Sequence, residues 1–210
     1  LVGYEPPLVE SFIADHGEDP RQLHDDDPRW LRHRCTALTD FHRELRTSLD
    51  TLAKELGRER IVVSACVLNR RENELNGLDL KTWIDEGLVD TLIPYTSAPA
   101  LDSGAEAWTD GDEVRHFVEL TEGTNCQLAL NIMPRHMPPE WFCRKAAELY
   151  ELGVERFFFW DSAGAFGRAN YSASWNVLRR LGHREEIEDW VKRGEPNLGS
   201  TVVPLLRVGD

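Results

Sequence analysis

The sequence has little positive charge and no long apolar run. Its 210 residues carry 24 Lys and Arg against 37 Asp and Glu, which gives a formal net charge of -13. A field of that sign repels phosphate backbones and anionic membrane surfaces, so we expect no nucleic-acid partner and no anionic membrane surface as a partner. No apolar run approaches the roughly 18 residues that a membrane span requires. Neutral ligands, including sugars, stay open.

Several motifs of metal and nucleophile chemistry are also missing. Cys35, Cys66, Cys126 and Cys143 are far apart and form no CxxC pair, which argues against a zinc site or a disulfide framework. We expect them to be buried free thiols inside helices or strands. The histidines form no HExxH, and the sequence has no GxSxG elbow or P-loop. The acidic run Asp25–Asp27 fits a helix cap rather than a calcium loop, so we predict no cofactor and no metal.

The first element that the sequence predicts clearly is a long amphipathic helix. Residues 1–28 are expected to be irregular apart from an apolar stretch at Leu8–Ile13. Asp27 followed by Pro28 is a strong helix start, because the side chain caps the first turn and proline suits its first position. From Trp30 to Leu56 apolar residues recur at spacings of three, four and seven, and Gly57 ends the pattern.

Beyond Gly57 the chain repeats a strand-then-helix pattern. The predicted strands begin about 30 residues apart, which is the length of a βα unit. They are apolar throughout rather than alternating, as expected of parallel strands covered by helices on both faces. The predicted strands are 61–68, 89–95, 127–133 and 156–160, and the predicted helices lie near 78–86, 112–121, 139–152, 172–181 and 185–192.

Two α/β architectures fit four such units. A doubly wound dinucleotide-binding sheet needs a glycine-rich turn after its first strand, and the residues from Asn69 to Glu74 contain no glycine. The sequence therefore favours part of a (β/α)8 TIM barrel, which has about 250 residues when complete. Because the chain starts at Leu1 rather than Met and its first helix has no strand of its own, we expect strands five to eight here and the earlier units upstream. Residues 1–194 would form this half barrel, and 195–210 a tail leading out of it.

In a barrel, functional residues follow the carboxyl ends of the strands. Asp161 ends the last apolar strand, where desolvation would raise its pKa and suit it to proton transfer; alternatively, it caps the following turn. We predict Asp161 as the catalytic residue. The predicted substrate-binding residues are Asn69, Arg70, Tyr95, Trp108, Asn131, Arg135 and Trp160.

These binding residues have chemistry that suits a sugar. The flat rings of Tyr95, Trp108 and Trp160 fit the apolar faces of sugar rings and carry polar tips for hydroxyl groups. Asn131 could hold a substrate hydroxyl, and Arg135 could pair with a carboxylate. The alternatives are ordinary packing for Trp160 and a surface salt bridge for Arg135.

Several segments, in this order and spacing, resemble one known family. They are Tyr4–Pro7, His16-Gly17, Asp19–Arg21, Trp30-Leu31, Thr39 with Phe41–Arg46, Gly77–Asp79, Thr82–Ile84, Glu86–Asp90 and Phe157–Ser162. The family is the glycosyl-hydrolase-like family ten, bacterial (β/α)8 glycoside hydrolases. The resemblance implies that this chain holds strands five to eight of a glycosidase barrel, and it points to an exported or cell-envelope bacterial protein.

The resulting hypothesis is a glycoside hydrolase that acts on O-glycosidic bonds of a poly- or oligosaccharide by carboxylate acid–base catalysis. That chemistry needs two carboxyl groups about 5–9.5 Å apart. Related barrels keep one at the end of strand seven, yet Leu130–Pro134 contains none. The second carboxylate is then expected in the upstream half of the barrel, which would be a partner, and the fragment alone would be inactive.

Two alternatives remain open at this point. The first is a carbohydrate-binding or scaffold barrel without catalysis, motivated by the missing carboxylate. The second is a metal-dependent barrel hydrolase, which the lack of clustered histidines disfavours. In either case, an open edge at the first strand would promote aggregation or dimerisation.

Overall fold

A computed structural model describes residues 3–95, 108–132, 139–159 and 180–194 of the protein. Helices and short strands alternate along these segments, which confirms the predicted α/β class. In chain order the elements are α1 (Pro6–His16), a 3-10 turn (Pro20–Gln22), α2 (Pro28–Glu55), β1 (Ser64–Val67), α3 (Arg70–Leu75), α4 (Leu80–Asp85), β2 (Thr91–Pro94), α5 (Gly111–Thr121), β3 (Gln127–Leu128), β4 (Leu130–Asn131), α6 (Pro139–Glu151), β5 (Phe157–Phe158) and α7 (Arg184–Arg193).

The chain divides into two compact units. The first comprises Leu1–Pro94 and Glu119–Gln127, and the second comprises Tyr95–Val118 and Leu128–Asp210. The predicted division into a half barrel at 1–194 and a tail stays a prediction, and the tail lies outside the described residues.

Helix α2 confirms the longest sequence prediction. The Asp27 side chain accepts a hydrogen bond from the backbone N–H of Arg29 at 2.9 Å, and Pro28 occupies the first helical position. The helix ends just before Gly57, whose φ of 62° is the left-handed conformation that glycine adopts without a Cβ clash.

Helix α1 corrects the expectation that the first 28 residues are irregular. Its first turn contains Pro6 and Pro7, which lack N–H groups that the first turn would leave unpaired in any case. Val9 and Phe12 are buried on one face and pack with Trp30 of α2. Tertiary packing therefore stabilises a helix that is too short to be stable on its own.

The first unit contains a small sheet of strand order β1-β2-β3. Strands β1 and β2 run parallel, with Ser64 opposite Thr91 and Val67 opposite Pro94. Strand β3 begins where the N–H of Gln127 donates to the carbonyl of Asp90 at 2.9 Å. Helix α4 packs against α2, where the buried Trp83 indole donates to the Thr39 hydroxyl at 3.0 Å.

Strand β1 differs from its prediction in length and in burial. The predicted strand 61–68 was expected to be buried on both faces, but only Ser64–Val67 is a strand, and its exposure alternates. Val62 is 65% exposed and Cys66 is exposed. Strand β1 lies at the edge of the sheet, and no described residue covers this face, which is why an apolar run is half exposed.

The second unit contains the parallel pair β4 and β5, in which Leu130 lies opposite Phe157 and Asn131 opposite Phe158. The predicted strand 127–133 is divided: its first part is β3, its second part is β4, and Ala129 separates them. Both described parallel pairings agree with the predicted strand direction. Closure into a barrel stays a prediction.

Helices α6 and α7 form the remaining core of the second unit. Phe142, Ala146 and Leu149 of α6 are fully buried. The Tyr150 hydroxyl donates to the carbonyl of Leu181, and the Arg184 guanidinium lies 5.6 Å from the centre of the Tyr150 ring. These contacts anchor the α7 segment against α6.

The cysteines follow their predicted burial only in part. Cys126 and Cys143 are buried, Cys35 is half-buried and Cys66 is exposed. All four are free thiols. The expectation of four buried thiols is therefore wrong for Cys66, because its side chain lies on the uncovered face of β1.

Candidate functional site

Asn131 is the most informative polar residue at a strand end. It ends β4, between the fully buried Leu130 and Ile132, and is itself only 3% exposed. Its carboxamide oxygen Oδ1 is buried and has no hydrogen-bond partner among the described residues. An unsatisfied buried acceptor costs about 1–3 kcal/mol, so this oxygen requires a donor that the described residues do not supply.

Trp108 lies directly against this strand end. Its indole Nε1–H donates to the backbone carbonyl of Asn131 at 2.7 Å, and its ring packs edge-on against Phe117 with centroids 6.2 Å apart. Trp108 is also the only described non-glycine residue with positive φ, at 58°. The left-handed conformation costs a bulky residue about 1–2 kcal/mol, which the buried indole contacts offset.

Trp108 was predicted as a substrate-binding residue, although its sequence neighbours have little apolar character. The structure places it in the core of the second unit, 7% exposed. Of the predicted substrate-binding residues, it brings Trp108 and Asn131 together across 23 residues of sequence.

Asn69 and Arg70 follow β1, as predicted, but the Asn69 carboxamide is already engaged. Its Oδ1 accepts from the N–H of Glu72 at 2.9 Å and its Nδ2 donates to the Glu72 carboxylate at 2.7 Å. Asn69 thus caps α3, a helix that is not among the predicted elements. Arg70 is the first residue of α3 and is exposed.

Sequence analysis missed Asn73, which fixes the carboxyl end of β1. It is 2% exposed, its Oδ1 accepts from the N–H of Leu68 at 2.8 Å, and its Nδ2 donates to the carbonyl of Leu68 at 2.7 Å. The oxygen and the nitrogen of the carboxamide therefore both have a hydrogen-bond partner. Asn73 lies four residues after Asn69, which is a helical spacing. This spacing would have indicated the position of Asn73 only if α3 had been predicted.

The remaining predicted site residues are described only in part. Tyr95 directly follows β2 and is half-buried. The predicted catalytic Asp161, together with Arg135 and Trp160, lies outside the described residues. Their roles stay predictions, as does the expected proximity of Asp161 to Asn131 or Tyr95.

A cluster of charge occupies the opposite, amino end of the strands. Asp90 accepts from Arg60 Nε at 2.6 Å through one carboxylate oxygen, and from the N–H of Val63 at 2.8 Å through the other. Buried Arg46 donates to the carbonyl of Ile61 at 2.9 Å and lies 3.5 Å from the same carboxylate. Arg46 stands on the buried face of α2, seven residues from both Thr39 and Ala53, a spacing that would have indicated its burial.

This cluster borders a cavity of about 580 Å³ at the amino ends of β2 and β3. In parallel α/β sheets, whether open or closed, ligands bind at the carboxyl ends of the strands. The hydrogen-bonded carboxylate of Asp90 and its two arginine neighbours tie α2 to the start of the sheet. We therefore treat this end as structural and the Asn131 end as the candidate site.

The buried thiols do not offer a ready nucleophile. Burial raises the pKa of the Cys126 thiol to about 11 and that of the Cys143 thiol to about 12, so both are protonated at neutral pH. No group of three or more His, Cys, Asp or Glu side chains in the described part of the chain is arranged to hold a metal ion. Within the same part, no helix combines the length and the apolar character needed to cross a membrane.

Comparison with known proteins gives no match: no family model matches the chain, and no curated protein matches it either.

Proposed function

We propose that this chain carries part of the carbohydrate-binding face of a (β/α)8-type glycoside hydrolase, acting on the O-glycosidic bonds of a poly- or oligosaccharide. The observation that supports it best is the buried Oδ1 of Asn131, which lies at the carboxyl end of a parallel strand and has no hydrogen-bond partner in the described part of the chain. A sugar hydroxyl is a donor of the kind that this acceptor lacks. The segments that resemble the glycosyl-hydrolase-like family ten support the same substrate class.

In this proposal each residue has one role. Asn131 accepts a hydrogen bond from a substrate hydroxyl, and Trp108 holds the strand end beneath it through the 2.7 Å bond to the Asn131 carbonyl. Tyr95, Trp160 and Arg135 contribute further contacts. Asp161 acts as the general acid or base.

The second carboxylate of the proposed chemistry would come from further βα units that pair along the free edge of β1. Those units are the partner that the proposal requires. No described strand occupies that edge of the sheet.

A second candidate function is carbohydrate binding without hydrolysis. It is favoured by the end of β4, where Leu130, Asn131 and Ile132 are buried and none is acidic. The two functions share the Asn131 contact and differ only in turnover.

The binding contact is tested with the 210-residue chain against a panel of soluble polysaccharides and peptidoglycan fragments. Calorimetry should find a carbohydrate ligand, and Asn131→Leu should weaken its binding about two- to tenfold, since one neutral hydrogen bond contributes about 0.5–1.5 kcal/mol. The matched control is Asn76→Leu, because Asn76 is exposed at the end of α3. Equal affinity in the Asn131 variant would refute the proposed contact.

Catalysis is tested on the same panel with this chain assembled with the further βα units that the proposal requires. Asp161→Asn should lower turnover by about 10²–10⁴-fold without changing the melting temperature. Carbohydrate binding with no turnover by the unmodified assembly would establish the second candidate instead.

A further inference from the structure

We infer that the groove between the end of α1 and the first two turns of α2 is a proton-dependent binding site for an oxyanion group, such as a phosphate, sulfate or carboxylate. The cavity has a volume of about 310 Å³ and is lined by His16, Pro28, Arg29, Arg32, His33 and Thr36. It lies within the first unit and shares no residue with the Asn131 site, so the inference is independent of the proposed function.

Residues from two elements supply the hydrogen-bond donors. Arg29, Arg32, His33 and Thr36 share one face of α2, because positions three, four and seven apart align on a helix. His16 reaches the same groove from the last turn of α1, with its ring centroid 6.3 Å from that of His33. Four of the six lining side chains are therefore imidazoles or guanidiniums.

The two arginines have different roles. Arg29 is bound by two carboxylates, Glu18 at 2.9 Å and Asp27 at 3.0 Å. The Arg32 guanidinium is exposed and has no ion-pair or hydrogen-bond partner among the described residues. Arg32 is thus the cation with its donors available, and an oxyanion is the group that a guanidinium fork binds best.

The hydrogen bonds around His33 fix which nitrogen takes up the second proton. The Ser11 hydroxyl donates to the carbonyl of Leu8 at 3.0 Å, so it accepts from His33 Nε2, 2.7 Å away. Nδ1 is then the free nitrogen of the neutral ring, and it lies 3.8 Å from the carboxylate of Asp15. His33 therefore contributes charge on protonation, while His16 and Arg32 supply the direct contacts.

Protonation reverses the sign of the local charge. With both imidazoles neutral, the two guanidiniums face three carboxylates, those of Asp15, Glu18 and Asp27. Two imidazolium charges turn this small negative excess into a positive one. Imidazoles change charge between about pH 5 and 8, so the groove should bind an oxyanion under mildly acidic conditions and release it above neutrality.

Sulfate is the best probe, because its own charge is constant across this range. A bound anion close to a titratable group changes the proton-binding equilibrium of that group by about tenfold or more. By thermodynamic linkage, protonation of the group changes the affinity for the anion by the same factor. Titration at pH 5.5 and 7.5 and constant ionic strength, followed by NMR, should therefore show at least about tenfold tighter binding at pH 5.5. A parallel titration with acetate distinguishes the two sources: preference for sulfate indicates a phosphate or sulfate ester, and preference for acetate a carboxylate.

Two variants and two matched controls complete the test. Arg32→Gln and His16→Asn, both at exposed positions, should abolish most of the binding at pH 5.5. Arg71→Gln, at an exposed position of α3, and His24→Asn, whose side chain is 84% exposed, should bind as the unmodified chain does. Failure of both anions to bind, the same affinity at both pH values, or undiminished binding by Arg32→Gln would each overturn the inference.

Discussion

Two buried asparagines, each near the carboxyl end of a strand, should differ in how strongly substitution by leucine changes the free energy of unfolding. Asn73 is 2% exposed and Asn131 is 3% exposed. The Asn73 carboxamide makes two hydrogen bonds to the backbone of Leu68, whereas the Asn131 oxygen has no described partner. Leucine is close to asparagine in size and removes the polar group in both.

The expected changes in the free energy of unfolding differ in size. Asn73→Leu removes both hydrogen bonds and leaves the N–H and carbonyl of Leu68 without partners, at about 1–3 kcal/mol for each buried group. The free energy of unfolding should therefore fall by about 2–4 kcal/mol. Asn131→Leu removes an acceptor that is already unsatisfied, so stability should stay within about 1 kcal/mol or rise.

Urea unfolding followed by circular dichroism measures both variants, with a constant m-value as the check that the unfolding reaction is the same. For a chain of this size, a loss of 2–4 kcal/mol lowers the melting temperature by about 4–15 °C. A loss above about 2 kcal/mol in Asn131→Leu would refute the reasoning, because it would show that the Asn131 side chain has structural partners. The assignment of this residue to a ligand would then be wrong.

Four further predictions concern other parts of the chain. Trp108→Phe should lower the free energy of unfolding by about 1–3 kcal/mol, since it loses the indole bond to a backbone carbonyl; an unchanged urea midpoint would contradict that bond. Asp90→Asn should lower the free energy of unfolding by about 1–3 kcal/mol, because it weakens the hydrogen bonds from Arg60 and from the N–H of Val63, while Asp50 still lies 2.6 Å from buried Arg46; chemical denaturation measures the change. With a thiol reagent at pH 8, Cys66 should react first, and Cys126 and Cys143 only on unfolding, because their raised pKa values and burial keep them protonated and shielded; peptide mapping identifies the labelled thiol. The exposed β1 edge should make the isolated chain self-associate, and a monodisperse monomer in light scattering would contradict this.

Local signals predicted the elements that local chemistry determines. The Asp27-Pro28 start and the glycine after Leu56 define α2 in the sequence and in the structure. The βα spacing predicted the parallel pairing of β1 with β2 and of β4 with β5. These features depend on side-chain capping, φ preferences and hydrophobic periodicity. All three can be identified in a short segment of sequence.

The errors occurred where tertiary contacts decide the outcome. Helix α1 was missed because its stability comes from packing Phe12 and Val9 against Trp30, 18 or more residues away. Helix α3 was missed because its cap, Asn69, had been interpreted as a ligand contact. The Trp108–Asn131 bond joins residues that no local pattern relates, although both had been selected as site residues from their positions relative to strands.

The composition of an apolar run indicates the environment to which a strand is suited. Strand β1 shows that the actual environment of the strand can differ. The run from Ile61 to Leu68 has the composition of a strand covered on both faces, yet the described residues cover one face and leave Val62 and Cys66 exposed. Helix α2 of the first unit also exposes large apolar side chains, those of Leu38, Phe41, Leu52 and Leu56. Exposed apolar surface costs about 25 cal/mol per Å², so covering either of these surfaces would be favourable, which is the physical reason for the predicted self-association.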